Sequence, residues 1–277
     1  MVGADVDVRK ELIAYGLPVG TALYEKCLAG SGVYALGATM VVKAELASDP
    51  RQVSRLMTEG TYMRQMETYA IGPKVYRTGV IQVQHSSRAL IVYSILERYT
   101  CDLGILSDLE SQMPSTVIDS TVGWLLNSLF RRVAYRTRLL LTDLKPSNIV
   151  ANLDMILLST LTPRVRISDV ILIDFGPEYC IALPEDVHSR TAHVTMLLLY
   201  SAISTALGFQ RCADVIASYI ARLSVDVLGA AVAWMDHQPV VQTAIRQYTT
   251  SPNASTLFAF LLQPRVQGSE TQMYIYP

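Results

Sequence analysis

Two short runs in the middle of this chain constrain its fold more than anything else in it: Leu141-Thr142-Asp143-Leu144-Lys145-Pro146-Ser147-Asn148-Ile149-Val150 and, farther on, Val170-Ile171-Leu172-Ile173-Asp174-Phe175-Gly176. The first sets an acid, a lysine and an amide at steps of two and three residues. The second places another acid at the end of an apolar, strand-like run. Considered alone, Asp143 and Asp174 read as well as a helix cap or surface turn as they do as site residues. Together, in this order, they point to a site.

The rest of the chain separates into a β-rich first third and a helical remainder. Residues 1–19 are compatible with a short helix over 6–15 or with an approach to a first strand, and residues 16–20, Gly-Leu-Pro-Val-Gly, form a turn cluster. Residues 21–47 read as strands punctuated by Gly30, Gly32 and Gly37, with 38–43 the clearest of them. Ser48-Asp49-Pro50 is a helix start, because Ser48 or Asp49 can accept from free backbone donors while Pro50 fits the first turn. That helix is predicted to reach about residue 68, with Val53, Leu56, Met57, Gly60, Met63 and Met66 on the face turned to the sheet. Residues 74–83 and 88–96 read as a hairpin, and the connection near residues 97–102 is the expected boundary between two lobes. Beyond it the expected elements are a short helix from 102 to 112, a long one over 114–138, strands over 149–158 and 165–173, and helices over 189–207, 211–234, 239–248 and 255–262. An α+β fold with a cleft between a small β-rich lobe and a larger helical one accommodates this order.

Composition narrows the functions. With 277 residues, 51% of them hydrophobic, the chain can bury a substantial core. Its 23 basic and 24 acidic residues leave a net charge of -1, so no global field attracts nucleic acid or an anionic membrane. No specific nucleic-acid binding is indicated. Arg131, Arg132, Arg136 and Arg138 form either a basic patch or a solvated helix face. Cys27, Cys101, Cys180 and Cys212 lack metal-ligand spacing and read as ordinary thiols. The most apolar stretch, residues 194–209, is shorter than the about 20 residues a span requires, and reads as a buried helix. No opening segment resembles a signal peptide, so an intracellular, soluble protein without a membrane span is expected.

The run D-L-K-P-S-N followed by I-D-F-G resembles the catalytic loop and metal-binding segment of eukaryotic-type protein kinases. The resemblance implies a two-lobed kinase-like fold, one domain over residues 1–277 with its N-lobe at about 1–98 and its C-lobe at about 99–277. It implies ATP and Mg2+ as cofactors. Asp143 would orient the acceptor hydroxyl and take its proton, Lys145 would reach the transferred phosphoryl group, and Asn148 and Asp174 would hold the metal. Val41-Val42-Lys43 resembles the strand whose lysine grips ATP phosphates, with Glu59 on the following helix as its partner. Glu67 lies too near the helix end to compete. The family's G-x-G-x-x-G is not present at its spacing; Gly16 to Gly20 is either a degenerate phosphate-covering loop or an ordinary turn. Gly176 is expected to permit a backbone geometry that a Cβ would oppose.

Several departures separate the chain from the family pattern. Leu141-Thr142-Asp143 replaces H-R-D, removing the arginine that pairs with a phosphorylated activation loop. The gap from Asn148 to Asp174 is long, and the segment after Gly176 is short, with Ala182-Leu183-Pro184-Glu185 only loosely similar to A-P-E. Fainter likenesses point toward casein-kinase-like, vaccinia-related or haspin-like outliers, and the compact length resembles viral kinases, which would place the protein in host cytoplasm or virion. The expected function is an ATP-dependent serine/threonine protein kinase acting on a protein substrate of unknown identity. The alternatives are an ATP-binding pseudokinase or interaction scaffold, and a small-molecule kinase of related fold.

Overall fold

The computed structural model describes residues 6–26, 30–84, 86, 88–105, 117–118, 121–156 and 164–248. A five-stranded antiparallel sheet dominates the first part. Its strands are β1 (Ala22–Lys26), β2 (Ser31–Leu36), β3 (Met40–Ala47), β4 (Val75–Gln82) and β5 (Leu90–Glu97), in the order β1-β2-β3-β5-β4. Helix α1 (Val8–Ala14) covers one face, burying Val8 and Leu12 with Tyr34, Val42, Ile91 and Tyr93. The short-helix reading of the first residues is therefore the one observed.

Helix α2 (Pro50–Thr68) covers the other face. It starts as expected: the Asp49 carboxylate accepts from the backbone N–H groups of Arg51 and Gln52, and Pro50 occupies the first turn. Gly60 lets this helix come close to the sheet, since a Cβ there would lie 3.1 Å from Thr78 Cγ2. Glu67, at the far end, accepts from the Val75 N–H instead of approaching Lys43.

The second part is built around α4 (Ser189–Ala206), whose residues from Ala192 to Ser204 are all buried. The helix is hydrophobic on every side because others surround it: α3 (Thr121–Arg132), α5 (Gln210–Ile220), α6 (Val225–Asp236) and α7 (Pro239–Tyr248). Among the described residues no single helix is long and apolar enough to cross a membrane. Cys101, Cys180 and Cys212 form no disulfide among the described residues, and Cys27 lies outside them.

Several expectations are corrected here. Val117 is not helical: β7 (Val117–Ile118) pairs parallel with β10 (Arg164–Leu172), and α3 begins only at Thr121. That helix ends in a wider π turn, Val133–Thr137. The single helix expected over 211–234 is two, α5 and α6, because Ser224 starts a new helix in an extended conformation. The expected connection at 101–102 is β6 (Cys101–Asp102), which pairs with β9 (Ile149–Ile156). Most of the helix expected over 102–112 and all of that over 255–262 lie outside the described residues.

Candidate active site

The run from Thr142 to Asn148 sits between β8 (Leu139–Leu141) and β9, with Pro146–Asn148 forming one 3-10 turn. Leu139, Leu140 and Leu141 before the polar stretch and Ile149 after it are buried, which anchors the run at both ends, and Leu144 is buried within it. The turn brings residues distant by two and five positions onto one oxygen. Lys145 Nζ donates to Asp143 Oδ2 at 2.9 Å, and Asn148 Nδ2 donates to the same atom at 2.8 Å and to the Asp143 carbonyl at 3.0 Å. Three polar side chains are thereby oriented by local geometry alone. The Asp143 side chain is only 6% exposed.

Asp174 follows β10, which runs antiparallel to β9 with Leu172 opposite Ile149; the Ile173 N–H donates to the Asn148 carbonyl at 2.9 Å. This pairing places Asp174 beside the turn at 146–148, and Asp143 and Asp174 line one small cleft with Leu144, Leu172 and Phe175. Asp174 has a positive φ of 70°, a left-handed conformation that Asp tolerates better than most residues. Gly176 does not share it. A Cβ at Gly176 would lie 3.1 Å from the Glu178 carboxylate, so the missing side chain makes room for a neighbour and does not relieve backbone strain, contrary to expectation. Phe175 is buried next to Gly72 and Met66, beneath α2.

Lys43 joins the two halves of the site. Its Nζ lies 2.6 Å from Glu59 Oε1 and is also bonded to Asp174 Oδ1. Glu59 is 4% exposed, so its carboxylate depends on this cation. Burial works against the charged form of Lys43, but Glu59 and then Asp174 outweigh it, and the ammonium is held above the usual lysine range. Burial likewise opposes ionisation of Asp174. Lys43 first, then Lys145 and Arg55, more than offset it, and the carboxyl is held below the usual carboxylate range. Both groups therefore stay charged across neutral pH.

Gly16 and Gly20 do not join this site. Gly16, with a φ of 95°, ends α1, and Gly20 pairs with Ala35 ahead of β1. The β1–β2 connection, where a phosphate-covering loop would lie, spans residues 27–30, of which 27–29 lie outside the described residues. The two glycines expected to bind cofactor, Gly16 and Gly20, thus lie ahead of β1 and outside the β1–β2 connection.

The segment after Gly176 is short and well tied. β11 (Cys180–Ala182) pairs with β8, and Thr142 donates its N–H to the Tyr179 carbonyl at 3.1 Å. Arg138, with a φ of 55°, donates to the carbonyls of Pro184 and Glu185 at 2.9 and 3.3 Å. It belongs to this strap and not to a free basic patch with Arg131 and Arg136. Sequence reasoning missed Arg55, which bonds both Glu45 and Glu178. The available signal was the i,i+4 spacing of Arg55 and Glu59 beside the i,i+2 spacing of Lys43 and Glu45.

The donor set fits magnesium. The Asn148 amide nitrogen is engaged by Asp143, which turns its oxygen the other way, and with the Asp174 carboxylate it offers hard oxygen donors. Among the described residues no group of three or more His, Cys, Asp or Glu converges, and magnesium needs none, since it takes one or two carboxylates with phosphate oxygens and waters.

No family model and no curated protein matches this sequence. Among solved structures the chain is similar to a crystallised kinase domain, at 12% identity and a TM-score of 0.41, over 88% of this chain and 82% of that one.

Proposed function

We propose that the protein is an ATP-dependent kinase that transfers the terminal phosphoryl group to a serine or threonine hydroxyl of a protein substrate. The observation that carries this reading is the bridging of Glu59 and Asp174 by Lys43, beside an Asp143 oriented by Lys145 and Asn148. Phosphoryl transfer needs positioning and charge neutralisation more than covalent chemistry, and these six side chains provide both. In this reading residues 1–98 supply the phosphate-gripping lysine and residues 99–277 the acceptor side.

Asp143 accepts the proton of the incoming hydroxyl, and its fixed Oδ2 contacts set the direction of that acceptor. Lys145 lies within reach of the transferred group and stabilises its growing charge. Lys43, kept cationic by Glu59, neutralises phosphate oxygens, while Asp174 and Asn148 would hold magnesium. When bound, the metal screens the triphosphate and draws charge toward the leaving oxygen. The lysine two residues after the catalytic acid supports a serine or threonine acceptor over tyrosine.

A second reading, an ATP-binding pseudokinase, is favoured by one feature: no G-x-G-x-x-G spans the first hairpin. One assay separates the two. Purified protein with magnesium and labelled ATP is tested for transfer to itself, to a mixed protein substrate and to small hydroxyl compounds, alongside D143A and D174A. Transfer by the wild type, lost in both variants, is expected. Undiminished signal in both variants rejects the catalytic assignment, ATP binding without transfer favours the pseudokinase, and transfer only to small hydroxyl compounds favours a small-molecule kinase.

A further inference from the structure

The contacts between β3, α2 and the segment after Asp174 form two rungs of opposite polarity. Side chains alternate along a strand, so Lys43 and Glu45 share a face of β3. Residues four apart share a face of a helix, so Arg55 and Glu59 lie together on α2, about one turn from each other. The pairs meet in reversed charge order: Lys43 with Glu59 at 2.6 Å, and Arg55 Nη2 with Glu45 Oε1 at 2.8 Å.

The segment beyond β10 adds a third member to each rung. Asp174 bonds Lys43, and Glu178 Oε1 lies 3.2 Å from Arg55 Nη1. In the first rung a strand cation stands between helix and segment anions. In the second a helix cation stands between strand and segment anions. Gly176 supports the arrangement, because a Cβ there would crowd the Glu178 carboxylate at 3.1 Å.

From this geometry we infer that Arg55 is a positioning residue: it locks the rotation and height of α2 against β3 and the 174–178 segment, and thereby holds Glu59 and Asp174 on Lys43. The inference rests on the kinase reading for its catalytic consequence, though not for its physical basis. One ion pair is a pivot about which a helix can turn or slide. Two pairs a turn apart, with opposite polarity, admit a single register, because a shift that opposed like charges in one rung would do so in the other. The two carboxylates come from the chain itself, so the lock closes without a phosphate group.

Arg55 and Glu178 are 36% and 44% exposed, so each contact is partly screened and its effect is expected to be severalfold at most. The test is hydrogen exchange on the full chain at low salt, comparing wild type with R55A, R55K, E178Q and R55A/E178Q. R55A should speed exchange by about two- to five-fold in both α2 and residues 174–182. E178Q should act on the same segments, the double variant should exchange no faster than R55A, and R55K should fall between, since an ammonium lacks the two-pronged reach of a guanidinium. In the transfer assay the Michaelis constant for ATP should rise by a similar factor in R55A with that for the acceptor unchanged. Unaltered exchange of residues 174–182 in R55A, or additive effects of R55A and E178Q, would overturn the inference. If the wild type transfers no phosphoryl group, the exchange result still decides the two-rung lock, and only the kinase reading falls. The exposed positions of E178Q and R55K keep the test available should R55A fold poorly.

Discussion

Asp143 accepts from Lys145 and Asn148, two and five residues away, whereas Asp174 takes Lys43 from 131 residues away. The first cluster is assembled by one 3-10 turn between the buried Leu144 and Ile149, and its donors converge on a single oxygen. The second exists only when β3, α2 and the end of β10 are packed together. Local geometry can thus orient an acid before the lobes are in place. The charge-neutralising half of the site is contingent on tertiary structure, and helix movement can make or unmake it.

The largest effect expected from this contrast is on chemistry. D143N should lower turnover by about 10²- to 10⁴-fold, the range for loss of a general base, while nucleotide binding persists; steady-state kinetics with an ATP-binding titration checks both. Loss of ATP binding in D143N would show that the two clusters are not separable. On the contingent side, K43M leaves the buried Glu59 without its cation and should lower unfolding free energy by about 3 kcal/mol. This lies at the low end for a broken buried pair because the Lys43 side chain is 29% exposed. K43M/E59M should recover most of that loss in denaturant titrations, since it strands no buried carboxylate and the Asp174 side chain, 40% exposed, keeps access to solvent.

His193 provides a neutral buried counterpart. Its ring lies 2.8 Å from Asn127 Oδ1, and burial, followed by Arg131 and Arg190, holds its pKa down to about 4. Between there and the ordinary value near 6.5 the unfolded chain binds a proton that the folded one refuses, so stability falls as pH drops through this window. The loss by pH 4.5 is expected to be about 2–3 kcal/mol, and H193Q should flatten that part of the stability–pH curve. The smallest effect concerns the seat of α2. G60A should cost about 1 kcal/mol, because the new methyl crowds Thr78 Cγ2 by more than the gain in helix propensity offsets. Adding T78S, which removes that methyl, should restore the denaturation midpoint.

Features written in adjacent residues were readable before any fold was known. Asp49-Pro50 starts α2, the β4–β5 hairpin follows two strand-like runs on either side of a polar stretch, and the Asp143-Lys145-Asn148 spacing anticipates a cluster that one turn closes. The pairing of Lys43 with Glu59 was readable only through resemblance, since strand and helix periodicities show which faces are buried without showing what lies opposite. For the same reason β7 escaped notice: two residues carry no period, and their strand character comes from lying beside Arg164 and Val165. Continuous apolar pattern hid the break at Ser224, and glycine content pointed to residues 16–20 although the hairpin that matters turns at 27–30.

The chain's local order thus settled the element types over most of the described residues and the contacts of Asp143 with Lys145 and Asn148, because hydrogen bonds across a few residues depend on spacing. Three-dimensional packing chose the partners of Lys43, Arg55 and Asp174, since an ion pair between distant residues requires a register that no short stretch of chain encodes.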